Sequence, residues 1–346
     1  MKDFPVIDAD GHIYEDEPEI ETYFEGSYRG LRRSKSFSLF PSLDGWPRGF
    51  LLGGAEKVIH TPADVWLSFL DRSEIEAAVL YPSAGLALGL IQDPDWACAL
   101  ARAYNNWLSD RFCKVSPRLK GIALLPVQNV KEAQIELRRM VTEHGMVGGV
   151  LPSVTLLHKG YGHPDFFPLF EEAQKLDCVL AVHGGTSQGL GIDFVNTMAM
   201  VHALEHPIAL MVQITNMLLN GVLDLFPKLR VAFLEAGAGW VPYMMDRLDQ
   251  KYQGDRRRRS VDLKRMPSEY IRSGNIYFSC ELDERTLDVV VRELGEDVLM
   301  YPSDFPHEKS RGEFAQDITA FLKRDDLSDG VKRKILYDNA KRFYHL

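Results

Sequence analysis

The segment Pro5-Val-Ile-Asp8, running on into Ala-Asp10-Gly-His12, decides how the rest of the chain is read. It is a short apolar run that stops at a knot of carboxylates and an imidazole. Buried parallel strands have this form: they are apolar throughout and turn polar only where the strand leaves the core. Seven more such runs follow, at Ala77–Tyr81, Leu119–Leu125, Val147–Leu151, Cys178–His183, Leu229–Glu235, Ile276–Cys280 and Val298–Tyr301. Amphipathic stretches at helical period lie between most of them, among them Trp96–Lys114, Val130–His144, Phe166–Lys175 and Gly239–Tyr252. Leu327–Tyr344 reads as a closing helix with Ser328 as its N-cap. Eight strands alternating with helices predict an α/β fold, a (β/α)8 TIM barrel. An open doubly wound sheet is the alternative, but no G-x-G-x-x-G or P-loop pattern follows any of the strands.

A chain of 346 residues suits one such barrel and needs no disulfides or structural metal to fill its core. Apolar residues at 45% and charged residues at 26% exclude a disordered, coiled-coil or collagen-like chain. With 40 basic and 49 acidic residues the net charge is −9, which argues against nonspecific nucleic-acid binding. The one basic run, Arg256-Arg-Arg-Arg259, reads as a solvated loop. Four cysteines without a C-x-x-C pair point to reduced thiols and a cytoplasmic protein. The N-terminus has no apolar signal core, and no uninterrupted apolar stretch is long enough to span a membrane. Residues from about 16 to 65 follow no period, so they read as an insertion after strand 1, serving as a lid, a substrate wall or a dimer contact.

In a barrel, polar residues at the carboxyl ends of strands face the active site. Here those ends carry Asp8, Asp10 and His12 on strand 1, His183-Gly-Gly on strand 5, Glu235-Ala-Gly on strand 6, and Ser303-Asp304-Phe-Pro-His307 on strand 8. Asp10 and His12 are two apart and so project to one side of an extended segment. With His183 and Asp304 they make a mixed nitrogen and oxygen set suited to a divalent cation, with a position left for water or substrate. Each residue alone has an ordinary reading, as a turn residue or a hydrogen-bonded structural histidine. Together, at the ends of strands 1, 5 and 8, they are read as a site, because several buried carboxylates without a cation would be costly.

Val6-Ile-Asp-Ala-Asp-Gly-His12 with Glu15, Ala181-Val-His-Gly-Gly185, His206-Pro through Gly221-Val-Leu-Asp-Leu-Phe-Pro227, Phe233-Leu-Glu-Ala-Gly-Ala-Gly-Trp240, Tyr301-Pro-Ser-Asp-Phe-Pro-His307 and Leu336-Tyr-Asp-Asn-Ala-Lys-Arg-Phe-Tyr344 resemble, in this order, the amidohydrolase-related family. Its aminocarboxymuconate-semialdehyde decarboxylase branch is the nearest in pattern. The resemblance covers the chain outside 16–65. It implies one distorted barrel domain over 1–346 and one divalent ion (manganese, zinc or magnesium) held by Asp10, His12, His183 and Asp304. An acidic residue at position 10 resembles the benzoate-type decarboxylases and favours the harder ions. The substrate implied is a small carboxylated cyclic or aromatic compound, decarboxylated without an oxidant or hydrolysed by metal-activated water.

The decarboxylases carry a histidine at the end of strand 6, where this chain has Glu235. A carboxylate there can still exchange a proton or bind a metal. With His307 and Asp10 it would complete a second metal site, so a binuclear iron or manganese oxygenase of the N-hydroxylase kind stays open, as does a non-catalytic barrel subunit. Asp304, Glu235 and His206 are the candidate catalytic residues, and His206-Pro207 is read as the start of a long helix, Ile208–Leu223. Glu15 is expected to orient His12. Arg247 resembles an arginine that relatives send across a homodimer interface to a substrate carboxylate. Tyr81, Ser83, His158 and His163 are candidate pocket residues without a role.

Overall fold

The computed structural model describes residues 4–30, 38–41, 61–185, 187–254, 256–307 and 314–346. Its strands, in chain order, are β1 (Ile7–Ile13), β2 (Ala77–Pro82), β3 (Leu119–Gly121 and Ala123–Leu124, interrupted at Ile122), β4 (Gly148–Pro152), β5 (Val179–His183), β6 (Arg230–Leu234), β7 (Ile276–Ser279) and β8 (Leu299–Met300). All neighbouring pairs are parallel. Across the gap in β3, Ile122 N–H donates to Leu80 O at 3.3 Å and Val147 N–H to Gly121 O at 3.1 Å. The ring closes between β8 and β1, where Ala9 N–H donates to Tyr301 O at 2.9 Å and Asp304 N–H to Asp10 O at 3.0 Å. The result is the expected (β/α)8 barrel.

The apolar runs form strands because they are buried on both faces, inside the barrel and beneath the helices. Residues of β4 and β5 are buried at every position. The outer helices cover them with apolar stripes, as in Val130–His144, which is N-capped by Asn129 and ended by Gly145 at φ 68°. Ser328 caps the final helical stretch as expected, its side chain accepting from Val331 N–H.

Three boundaries differ from the sequence reading. β1 was expected to stop at Asp8 but runs on to Ile13, because a register shift between Asp8 and Gly11 lets the strand continue past its polar knot. The helix expected to start at His206 starts at Met198, N-capped by Thr197, and takes Pro207 into its interior. Pro207 costs one backbone hydrogen bond but does not stop a helix whose one side is buried along Val201, Glu205, Ala209 and Leu210. Of the stretch 16–65, the described part holds a short helix (Glu17–Glu21), one turn (Gly26–Tyr28) and the start of helix Ala63–Ser73. Residues 31–37 and 42–60 lie outside the described residues. The basic run is a surface turn in which Arg256 pairs with Asp262 and Arg259 lies over the Tyr252 ring.

Candidate metal centre

Four strand ends bring the cluster together. The bulge in β1 buries Asp10 and His12 side by side. Gly11 between them is obligatory: a Cβ there would lie 2.4 Å from Trp66 and 2.8 Å from the Asp8 carboxylate. His183 ends the regular strand β5. Glu235 and Asp304 follow β6 and β8 with φ of 65° and 50°. A left-handed backbone at a non-glycine residue costs about 1–3 kcal/mol and persists where the surroundings fix it. Here Glu235 N–H donates to Ser279 Oγ at 2.8 Å, and Asp304 N–H is tied to Asp10.

The hydrogen bonds set the imidazoles. His12 Nδ1 lies 3.0 Å from Pro82 O, so it carries the proton and leaves a lone pair on Nε2. Nε2 is buried without a hydrogen-bond partner. It faces Asp10 Oδ1 at 3.6 Å and Asp304 Oδ1 at 3.7 Å. His183 Nδ1 lies 2.8 Å from Gly184 O and 3.1 Å from Glu235 Oε2, so its Nε2 also points a lone pair, at Asp10 Oδ1 3.0 Å away. Lone pairs aimed at carboxylates repel unless a proton or a cation stands between them. The donor set therefore fits a divalent ion. Asp10, His12 and His183 place one donor atom each within 4.8 Å of one another, and so do His12, Glu235, Asp304 and His307.

The electrostatics carry the same message. Burial pushes Asp10 up to about 6 despite the opposing pull of His183. Burial lowers His12 well below the usual histidine range, with His307 and His183 adding to it. For His183 burial acts downward, but Asp10 and Glu235 override it and raise the ring well above its ordinary value. Burial works upward on Glu235, yet His206, His183 and His12 hold it well below the usual carboxylate range. Asp10 and Glu235 thus favour positive charge at His183 Nε2, a place that either a proton or a divalent ion can take.

The expected residues divide clearly. Asp10, His12, His183, Asp304, Glu235 and His307 meet at one place, and His206 joins them with Nδ1 3.1 Å from Glu235 O. His206 does so from the middle of a helix rather than from its start. Glu15 is not the hydrogen-bond partner of His12, whose Nδ1 goes to Pro82 O. Its carboxylate instead accepts the amides of Ala84 and Gly85, at 2.9 and 2.8 Å, because β1 carries it over the turn that follows β2. Arg247 stands exposed on helix Val241–Gln253. His158 is exposed, and His163 caps the turn Pro164–Phe166. Tyr81 packs 5.2 Å from the His183 ring and bonds Tyr344 through its hydroxyl. Three partners had no role in the sequence reading: Asp8, which accepts from Ser303 N–H at 2.8 Å and Ser303 Oγ at 2.6 Å, Ser279, and the Pro82 carbonyl. Asp8 stood in the strand 1 motif, but nothing in the sequence pairs it with Ser303.

A closed parallel α/β barrel with histidines and carboxylates gathered at its carboxyl rim defines a (β/α)8 protein with a candidate metal centre. The chain belongs to the amidohydrolase family, whose model matches residues 7–346. The 2-amino-3-carboxymuconate-6-semialdehyde decarboxylase of Dictyostelium discoideum is 26% identical over 287 residues, 82% of this chain and 76% of that protein. The gamma-resorcylate decarboxylase of a Polaromonas species is 25% identical over 297 residues, 80% of this chain and 85% of the other. The crystal structure of a Polaromonas dihydroxybenzoic acid decarboxylase, with bound manganese and the inhibitor 2-nitroresorcinol, is similar with a TM-score of 0.73 at 22% identity, covering 99% of this chain and 97% of that one.

Proposed function

We propose that the chain is one barrel domain acting as a divalent-metal-dependent carboxy-lyase, which removes CO2 from a small carboxylated aromatic or cyclic compound without an oxidant. The observation that carries this is the buried, partnerless His12 Nε2 facing Asp10 and Asp304. The two curated relatives named above are decarboxylases, which favours this chemistry over hydrolysis by metal-activated water. Asp10, His12, His183 and Asp304 would hold the ion, with manganese or magnesium suited to two carboxylates better than to thiolates. A bound ion supplies positive charge that orients the substrate carboxylate or a neighbouring oxygen.

The chain's own groups do the rest. The bond between ring carbon and carboxylate breaks, its electron pair stays on the ring carbon, and that carbon takes a proton from Asp304 as CO2 leaves. Asp304 is then reprotonated from water. His183 Nδ1–H donates to Gly184 O with the ionised Glu235 carboxylate 3.1 Å away, which leaves Nε2 free to bind an ion. His206 Nδ1 donates to the Glu235 carbonyl oxygen, which holds its ring beside that carboxylate and completes the acid–base set.

Two further features belong to the reading. Met200, Leu204 and Val212 are 47%, 41% and 46% exposed along one side of helix Met198–Leu219, which supports a homodimer, with Arg247 reaching a partner's substrate. All four cysteines are unpaired, and no described helix is long and apolar enough to cross a membrane, in keeping with a cytoplasmic enzyme.

The binuclear iron or manganese oxygenase draws on the second group, His12, Glu235, Asp304 and His307. Both groups need His12, whose single free nitrogen serves one ion. Manganese-loaded protein incubated with 2,6-dihydroxybenzoate and related hydroxybenzoates should release CO2 and the decarboxylated phenol without consuming oxygen. Oxygen uptake coupled to a reductant, with no CO2 release, would replace this reading by the oxygenase.

A further inference from the structure

Asp304 has an insecure position for a residue given two tasks. β8 is two residues long, and Asp304 follows it in the left-handed region. The oxygen that faces His12 is nevertheless also held by His307, whose ring lies 4.3 Å from that of His12. Asp304 Oδ1 lies 2.9 Å from His307 Nδ1, and His307 Nε2 lies 2.7 Å from Ser83 Oγ. A neutral imidazole has one donor and one acceptor nitrogen. With Asp304 accepting at Nδ1, the ring proton sits there and the Ser83 hydroxyl donates to Nε2. Ser83 is itself fixed, because the next two amides, Ala84 and Gly85, both donate to the Glu15 carboxylate. The fit is close: a Cβ on Gly85 would lie 2.7 Å from the Pro82 Cβ and 3.2 Å from Glu15.

We propose that Ser83 and Glu15 are positioning residues for Asp304, acting through the ring orientation and tautomer of His307. The inference rests on the reading of Asp304 as ligand and proton donor. It assigns a task to Glu15 other than the one its place beside His12 suggests, and a task to Ser83 where the sequence offered none. The order serine, histidine, aspartate is also that of an acyl-transfer triad. Here the chain ends on a carboxylate that turns toward His12, 3.7 Å away, so the serine serves the aspartate rather than attacking a substrate.

The test compares intact wild-type protein with Ser83→Ala, Ser83→Thr and Glu15→Gln. In metal-free protein labelled with 15N-histidine, with the His307 ring assigned by loss of its signals in His307→Asn, wild type and Ser83→Thr should show the proton on Nδ1. Ser83→Ala should move it to Nε2 or to a mixture. Manganese affinity, read by titration of the free ion, should fall about 10–100-fold in Ser83→Ala, recover in Ser83→Thr and fall less in Glu15→Gln. If Ser83→Ala does not fold, Glu15→Gln carries the test, since it loosens the same turn and leaves the hydroxyl in place. A wild-type tautomer together with wild-type manganese affinity in Ser83→Ala and Glu15→Gln would overturn the proposal. So would covalent labelling of Ser83 by a sulfonyl fluoride, which would make it a nucleophile. Neither readout needs a substrate. Failure to decarboxylate any compound would thus count against the proposed function alone.

Discussion

Two seams of the barrel deliver the same kind of side chain in different ways. Between β5 and β6 the register runs unbroken from Val179 opposite Arg230 to His183 opposite Leu234, and His183 is simply the last residue of a regular strand. At the β8–β1 seam nothing is regular. β1 bulges, β8 is two residues long, and Asp304 sits in the left-handed region. The regular seam positions its candidate ligand, His183, by the pleat and a bond to the adjoining Gly184 carbonyl. The irregular seam depends on side-chain bonds across it and beyond it: Asp8 on Ser303, His307 on Asp304, and Ser83, from the end of β2, on His307. Ligands at the two seams should therefore respond differently to the loss of their surroundings.

The largest effect is expected at the ligands. Asp304→Ala and His12→Ala should each lower activity by at least about 100-fold and release the ion while leaving the fold intact, as circular dichroism and elemental analysis would show. Retained ion in both would break the comparison, since the irregular seam would then not hold it. Next comes the support of the irregular seam. Asp8→Ala leaves Ser303 N–H, Ser303 Oγ and Asp10 N–H without an acceptor in a buried site, and should cost about 2–4 kcal/mol in denaturant unfolding. The glycines sharpen the contrast. Gly11→Ala at the bulge drives a Cβ into the Trp66 ring and should cost about 1–3 kcal/mol. Gly184→Ala meets Glu235 O at 2.9 Å beside the regular seam and should cost less, because that contact is less severe.

The smallest effect is in pH. Burial raises Asp8 from 3.8 to about 7, so the folded chain favours its acid form. That contribution is present below about pH 4 and is lost as pH rises through 7. Metal-free protein should melt at a lower temperature at pH 8 than at pH 5, and Asp8→Asn should flatten the slope. A melting temperature that rises over this range would contradict the assignment.

How much of this the sequence disclosed follows the same division. The regular seam was legible as a strand, and His183 at its end read as a candidate ligand only together with Asp10, His12 and Asp304. The ligand types at the irregular seam were legible too, because carboxylates and histidines rarely end apolar runs by chance. The bulge was not, since a polar knot inside a strand looks like its end, and only pairing with β2 and β8 shows that the strand continues. Glu15 was seen but its amide partners were not, because adjacency to His12 in sequence says nothing of the turn 70 residues on whose amides it accepts. His206 was expected near the site but at a helix start, since Pro207 usually marks one. The burial of the flanking turns outweighed that local signal. Contacts across 224 residues, such as Ser83 on His307, have no local signature at all.

The account stands on one ion held jointly by both seams, with His12 at its centre. The most direct test is manganese per chain by elemental analysis, after loading and removal of free ion, in wild type, His183→Ala and Glu235→Ala. The account predicts about one manganese in wild type, loss in His183→Ala and retention in Glu235→Ala. Two metals in wild type, falling to one in Glu235→Ala, would contradict it and make Glu235 a ligand of a second ion.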